Sequence, residues 1–126
     1  MNNIHILLIM IFLHIFDDYK QGILASMKQK QWWRQQKEYT DLYKYDYIAA
    51  LLCHSFSWTF MIMLPILVLV NFKVNLLVLG LFLSNFALHA FIDDLKANRF
   101  VINLVTDQSL HILQIVLTWI LAGGVL

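Results

Sequence analysis

Four predominantly apolar runs, each about 20 residues long, constrain this chain more than any other feature: roughly Ile4 to Ile23, Tyr47 to Val70, Val74 to Leu95 and Phe100 to Ile120. A bilayer core about 30 Å thick is crossed by about 20 helical residues. Inside it, only segments that satisfy their own backbone hydrogen bonds are stable. The runs therefore predict an all-α, polytopic membrane protein, a single membrane domain over residues 1–126 built as a bundle of four transmembrane helices. The first run is not read as a cleaved signal peptide. It lacks a basic leading segment, and His14, Asp17 and Asp18 stand where small residues would be needed for cleavage. Pro65 falls inside the second run, where neighbouring helices can satisfy the carbonyl it frees.

Charge is rationed to match. Only 13% of residues are charged while 60% are hydrophobic, and much of the charge lies between Lys20 and Asp46. A net charge of +1 argues against a nucleic-acid partner, which requires a basic surface. The single cysteine, Cys53, excludes an internal disulfide framework. Basic residues stay on the cytoplasmic side of a membrane. The first and third loops carry Lys20, Lys28, Lys30, Arg34, Lys37, Lys44, Lys96 and Arg99, against Lys73 alone in the second. The expected topology therefore has both termini outside the cytoplasm. The first loop, Met27 to Asp46, mixes bases with Trp32, Trp33, Tyr39, Tyr43 and Tyr45. Amphipathic rings and snorkelling lysines predict an interfacial loop or helix lying along the cytoplasmic surface.

The polar residues within the runs are not scattered. His14 and Asp18 end the first helix, His54 begins the second, His89 and Asp93 end the third, and Asp107 and His111 begin the fourth. With alternating helix directions, all seven lie toward the cytoplasmic end at similar depths. Three of the five histidines have an aspartate four residues away, on the same helix face. Ionisable groups in a membrane are costly unless paired or ligated, and mark functional sites by default. Four imidazoles and three carboxylates form a ligand set suited to one or two divalent transition-metal ions, zinc first, manganese or iron also. Pairing of His with Asp along each helix, without metal, is the competing structural reading. Bis-histidine haem ligation would leave the aspartates unexplained. Cys53 points off the His54 face, His5 lies near the far end without an acidic partner, and Trp58 reads as core packing.

The order of motifs, H-x-x-x-D as His14 to Asp18, a lone His54, H-x-x-x-D-x-x-K as His89 to Lys96, and D-Q-x-x-H as Asp107 to His111, resembles an uncharacterised bacterial and phage family of small integral membrane proteins. That family is itself similar to inner-membrane proteins classed as metal-dependent hydrolases. The resemblance spans almost the whole chain and implies a bacterial inner-membrane location. Such proteins place an aromatic residue and then a Gln shortly after the first Asp. Here Tyr19 fits, while Gln21 comes one residue early and Gly22 occupies the expected place.

These features lead to an expected function: metal-dependent hydrolysis of a phosphate or acyl ester of a membrane lipid or amphiphile at the cytoplasmic leaflet. His14, Asp18, His54, His89, Asp93, Asp107 and His111 are the expected ligands. Asp18 or Asp93 could remain off the metal as general base, and Lys96 could stabilise developing negative charge. The alternative is a divalent-metal or proton carrier or channel component using the same cluster. Self-association into a homo-oligomer is compatible with either.

Overall fold

The structure is a computed structural model, and it describes residues 3–123. Among them there are helices and turns but no strand: α1 Ile4–Lys20, α2 Ile23–Met27, α3 Lys30–Arg34, a 3-10 turn Asp41–Tyr43, α4 Asp46–Leu69, α5 Leu76–Ala97 and α6 Leu104–Ala122. Three segments are long and apolar enough to cross a membrane: Asp41–Leu69, Leu76–Ala97 and Leu104–Ala122. The first helix is shorter. Its 17 residues extend about 25 Å at 1.5 Å per residue.

Local sequence explains where each helix stops. The first run was expected to continue to Ile23, but Gly22 adopts φ +53°, which turns the chain and starts α2 in a new direction. Asn75 and Asn103 cap α5 and α6, each side chain accepting the backbone N–H three residues on, from Val78 and Thr106, at 2.9 Å. The last helix therefore begins at Leu104 rather than at Phe100. Helix α4 continues through Pro65 to Leu69. It ends where Asn71 and Phe72 take positive φ and the Phe72 N–H bonds back to the Leu67 carbonyl at 2.7 Å.

The four long helices form a closed ring in which α1 packs on α4, α4 on α5, α5 on α6 and α6 back on α1. Their outer faces carry large exposed apolar side chains such as Leu8, Phe12, Phe56, Leu83, Phe91, Leu113 and Leu117, the surface a lipid environment rewards. The inner face differs along its length. Toward the ends of α1 and α4 marked by His5 and Leu69, the interior is apolar: Ile6, Leu7, Met10, Ile62, Met63, Ile66, Val78, Leu81 and Ile115. Toward the basic loops it is lined by His14, Asp17, His54, His89, Asp93, Asp107 and His111, all buried.

The first loop does not form the single interfacial helix that Met27 to Asp46 could have made. It folds as α3, a turn and the 3-10 segment, because this stretch carries no unbroken apolar stripe for a longer helix to bury. Its aromatics pack on one another instead, Trp33 stacking with Tyr43 at 6.1 Å between centroids. The Trp33 indole also donates to the Met27 carbonyl at 2.7 Å. Together with α2, which leans on α4, the loop closes the basic end of the bundle.

Candidate metal centre

At the basic end, the interior side chains converge on a few atoms. Asp93 is the hub. Its Oδ2 lies 2.9 Å from His54 Nε2 and 3.6 Å from His89 Nε2, and its Oδ1 lies 3.2 Å from His111 Nε2. His54 Nε2 and His89 Nε2 are 3.1 Å apart, and His89 Nδ1 faces His111 Nδ1 at 3.3 Å. Two triads offer ligand atoms close enough to share an ion, Asp18 with His54 and His89, and His89 with Asp93 and His111. His89 belongs to both. Of the seven expected ligands, five therefore fall in these groups. The remaining two, His14 and Asp107, stand beside them.

The protonation pattern follows from the hydrogen bonds. Gln21 Oε1 lies 2.5 Å from His54 Nδ1 and, being an acceptor, requires that nitrogen to carry the proton. The Gln21 amide is in turn oriented by donating to Asp17 Oδ2, while Asp17 Oδ1 accepts from Ser57 at 2.8 Å. His54 Nε2 is thus left as a lone pair aimed into the cluster, in the way an outer carboxylate or amide orients a ligating histidine. On the other side, His111 Nε2 lies 3.2 Å from Asp93 Oδ1 and 3.4 Å from Asp107 Oδ1, and its Nδ1 faces His89 Nδ1. His54 Nε2, His89 Nε2 and Asp93 Oδ2 thus lie 2.9–3.6 Å apart. Ligands 2.0–2.1 Å from a tetrahedral zinc ion are about 3.3 Å from each other, a value within this range.

Charge and unmet hydrogen bonds support the same fit. Four carboxylates, Asp17, Asp18, Asp93 and Asp107, gather at this end, and two ammonium groups reach them, Lys28 on Asp93 and Lys96 on Asp107. Among the described residues, Asp18 Oδ1 and Asp107 Oδ1 are buried without a hydrogen-bond partner, a costly state that a metal or its bound water would relieve.

The neighbours of the two triads hold them in place. Trp58, fully buried, stacks on the His89 ring at 4.0 Å and donates its indole N–H to His14 Nδ1 at 2.7 Å. His14 Nε2–H then faces Gln108 Oε1 at 3.1 Å, and the Gln108 amide donates to Asp107 Oδ2 at 3.0 Å and Asp18 Oδ2 at 3.3 Å. Both nitrogens of His14 are thereby used in positioning. Lys96 Nζ reaches Asp107 Oδ2 at 2.6 Å. Asp94 turns outward to Arg99 at 2.8 Å, and Cys53 is exposed.

Lys28 is the residue that spacing could not reveal. Counted in the sequence only as a loop charge, it is buried to 8% exposure, and its ammonium lies 2.5 Å from Asp93 Oδ2 and 3.1 Å from His54 Nε2. It reaches the centre because Gly22 folds α2 back against α4. Asn98 holds the backbone around it, accepting from the Lys30 N–H at 2.7 Å and donating to the Lys28 carbonyl at 3.1 Å. Above the cluster, Asp18, Tyr19, Ala25, Lys28, Lys96, Phe100 and Gln108 line part of a vestibule of about 390 Å³. No family model, curated protein or solved structure matches the chain.

Proposed function

We propose that the protein is a membrane-embedded metal-dependent hydrolase that cleaves a phosphate or acyl ester of a lipid or amphiphile at the cytoplasmic leaflet. One observation carries the reading: His54 Nε2, His89 Nε2 and Asp93 Oδ2 converge within 3.6 Å of one another beneath a vestibule at the basic end of the bundle. Three protein ligands with room for another group are the pattern of catalytic rather than closed structural sites. The motif order that resembles a family of inner-membrane proteins supports the same class.

In this reading α1 is the fourth span. Its 17 residues fall short of a 30 Å core by less than a turn, and Lys20 at its end can snorkel to the interface. The excess of basic residues in the first and third loops supports a cluster on the cytoplasmic side with both termini on the other, and the motif resemblance supports a bacterial inner membrane.

His54, His89 and Asp93 hold the ion, zinc by preference for this nitrogen and oxygen set, with Asp18 and His111 able to add a ligand or a second ion. Bound there, a metal would lower the pKa of a water toward neutrality and polarise the phosphoryl or acyl oxygen. Asp18, whose Oδ1 has no hydrogen-bond partner, would accept a proton from the attacking water as its oxygen bonds to phosphorus or acyl carbon, and would return it to the ester oxygen as that bond breaks. Lys96, 27% exposed and facing the vestibule, offsets the charge that develops.

The test uses protein reconstituted in sealed vesicles, challenged with phosphoester and acyl-ester lipids and assayed for divalent-ion flux. Metal-dependent cleavage, lost in Asp18→Asn and without flux, is the expected result. Ion flux abolished by Asp107→Ala, with no cleavage over a broad panel, would assign the cluster to transport. The interior beyond Trp58, apolar from Met10 through Ile62, Ile66 and Ile115 and interrupted only by neutral side chains such as Asn85, Gln114 and Thr118, offers such an ion no charged ligand and favours hydrolysis.

A further inference from the structure

Lys28 occupies the place where the ligand geometry calls for a cation. Its ammonium touches two of the three converging atoms, Asp93 Oδ2 at 2.5 Å and His54 Nε2 at 3.1 Å. Among the described residues it is the one lysine or arginine that is buried. An ammonium donates through hydrogens, whereas a metal accepts the same lone pairs directly, so the two cannot use Asp93 Oδ2 and His54 Nε2 at once. The Lys28 backbone is fixed by Asn98. Its long side chain can leave the cluster only by pivoting about that anchor, and the space it already lines is the vestibule.

The vestibule combines cationic and apolar walls. It is lined by Lys28 and Lys96, by the amides of Gln29 and Gln108, by the carboxylate of Asp18, which belongs to one of the two triads, and on its rim by Tyr19, Phe100 and Leu104, which are exposed at the end of the bundle. Both lysines are neutralised while they pair with Asp93 and Asp107. A divalent ion drawn into the cluster takes over the charge of Asp93 and frees Lys28.

We propose that Lys28 is a displaceable internal cation, and that the metal which replaces it turns the vestibule into a binding site for the phosphate monoester headgroup of a lipid, gripped by Lys28 and Lys96. This rests on the hydrolase reading for its metal and narrows the substrate from esters in general to phosphorylated amphiphiles. An acyl ester offers no charge for two ammonium groups to bind, whereas a phosphate monoester carries about two negative charges and three acceptor oxygens.

The experiment uses full-length protein in phosphatidylcholine nanodiscs. Zinc is titrated into wild type, Lys28→Met and Lys96→Met, and inorganic phosphate is then titrated into each zinc-loaded form. Lys28→Met is expected to bind zinc about tenfold more tightly, since it removes both competitor and repulsion. Lys96→Met, an equal change of charge beside Asp107, should alter zinc binding by less than about threefold. Both variants should weaken phosphate binding about tenfold or more, and doping the nanodiscs with phosphatidic acid should displace the phosphate. Lys28→Gln serves in place of Lys28→Met if the latter loses helical content.

Zinc binding by Lys28→Met that is unchanged or weaker overturns the exchange, and lysine-independent phosphate binding overturns the anion site. Phosphate binding that phosphatidic acid cannot displace overturns the lipid assignment. The hydrolase reading fails separately. Lysine-dependent phosphate binding without cleavage of any ester leaves this inference standing and removes the hydrolase, while acyl-ester cleavage without phosphate binding does the reverse.

Discussion

The two halves of the bundle interior are made by the same four helices and solve opposite problems. In the half around Ile6, Met10, Ile62, Ile66, Val78 and Ile115, most side chains are apolar and buried at or near complete exclusion, and the polar ones among them, Thr59, Asn85, Gln114 and Thr118, are all neutral. In the half around Asp93, burial is as complete, with His14, His89, Asp107 and His111 at 0% exposure, yet two carboxylate oxygens lack partners and imidazole nitrogens crowd to 3.1–3.3 Å of one another. Dry packing explains the first arrangement by itself. The second is costly for a membrane protein to keep, and so it is the candidate functional site. Trp58 divides the halves, its ring against His89 and its N–H on His14.

This contrast can be broken from either side. The largest effect on folding is expected at the apolar half. Ile66→Ala should destabilise the protein by about 2–4 kcal/mol, the usual cost of such a cavity, with zinc affinity unchanged. Denaturation in mixed micelles beside zinc titration checks this, and a parallel loss of metal affinity would mean that the halves are not independent. A smaller effect of the opposite kind is expected at Gln21. Gln21→Ala removes the acceptor that fixes the His54 ring, and should weaken zinc binding by about 10- to 100-fold while leaving thermal stability in the absence of metal nearly unchanged. Equal zinc affinity in the variant would show that His54 is oriented by something other than the Asp17–Gln21 chain.

Much of this contrast is legible in the chain. The apolar runs mark α4, α5 and α6 to within a few residues, because lipid-facing helices need apolar residues on nearly every face. The Asn caps that move the start of α6 from Phe100 to Leu104 depend on a backbone turn that hydropathy does not register. The His–Asp spacing identifies the right residues but not their partners. Along each helix the closest imidazole and carboxylate atoms are 3.4–3.6 Å apart, whereas His54 and His111 reach Asp93 from other helices at 2.9 and 3.2 Å. Spacing reports which faces are polar, and only packing decides which polar groups meet. Lys28 was hidden for a related reason. A lysine in a polar loop has the sequence pattern of a solvated charge, and its burial depends on the Gly22 turn and the Asn98 clamp. Gln21 stands one residue early for the motif it resembles, yet still reaches His54, because it lies just past the end of α1, where the chain begins to turn.

The central claim is that the clustered carboxylates and converging imidazoles of the basic half exist to hold a divalent ion. The most direct measurement is the metal content of protein purified without added chelator, by elemental analysis, beside Asp93→Ala prepared identically. The account predicts between about one and two equivalents of a transition metal in the wild type, an expectation set by the ligand count, and loss of most of it in Asp93→Ala with the helices intact. Wild-type protein that is folded, free of metal and indifferent to added zinc or manganese would contradict it, leaving Lys28 as the cation this site was built to hold.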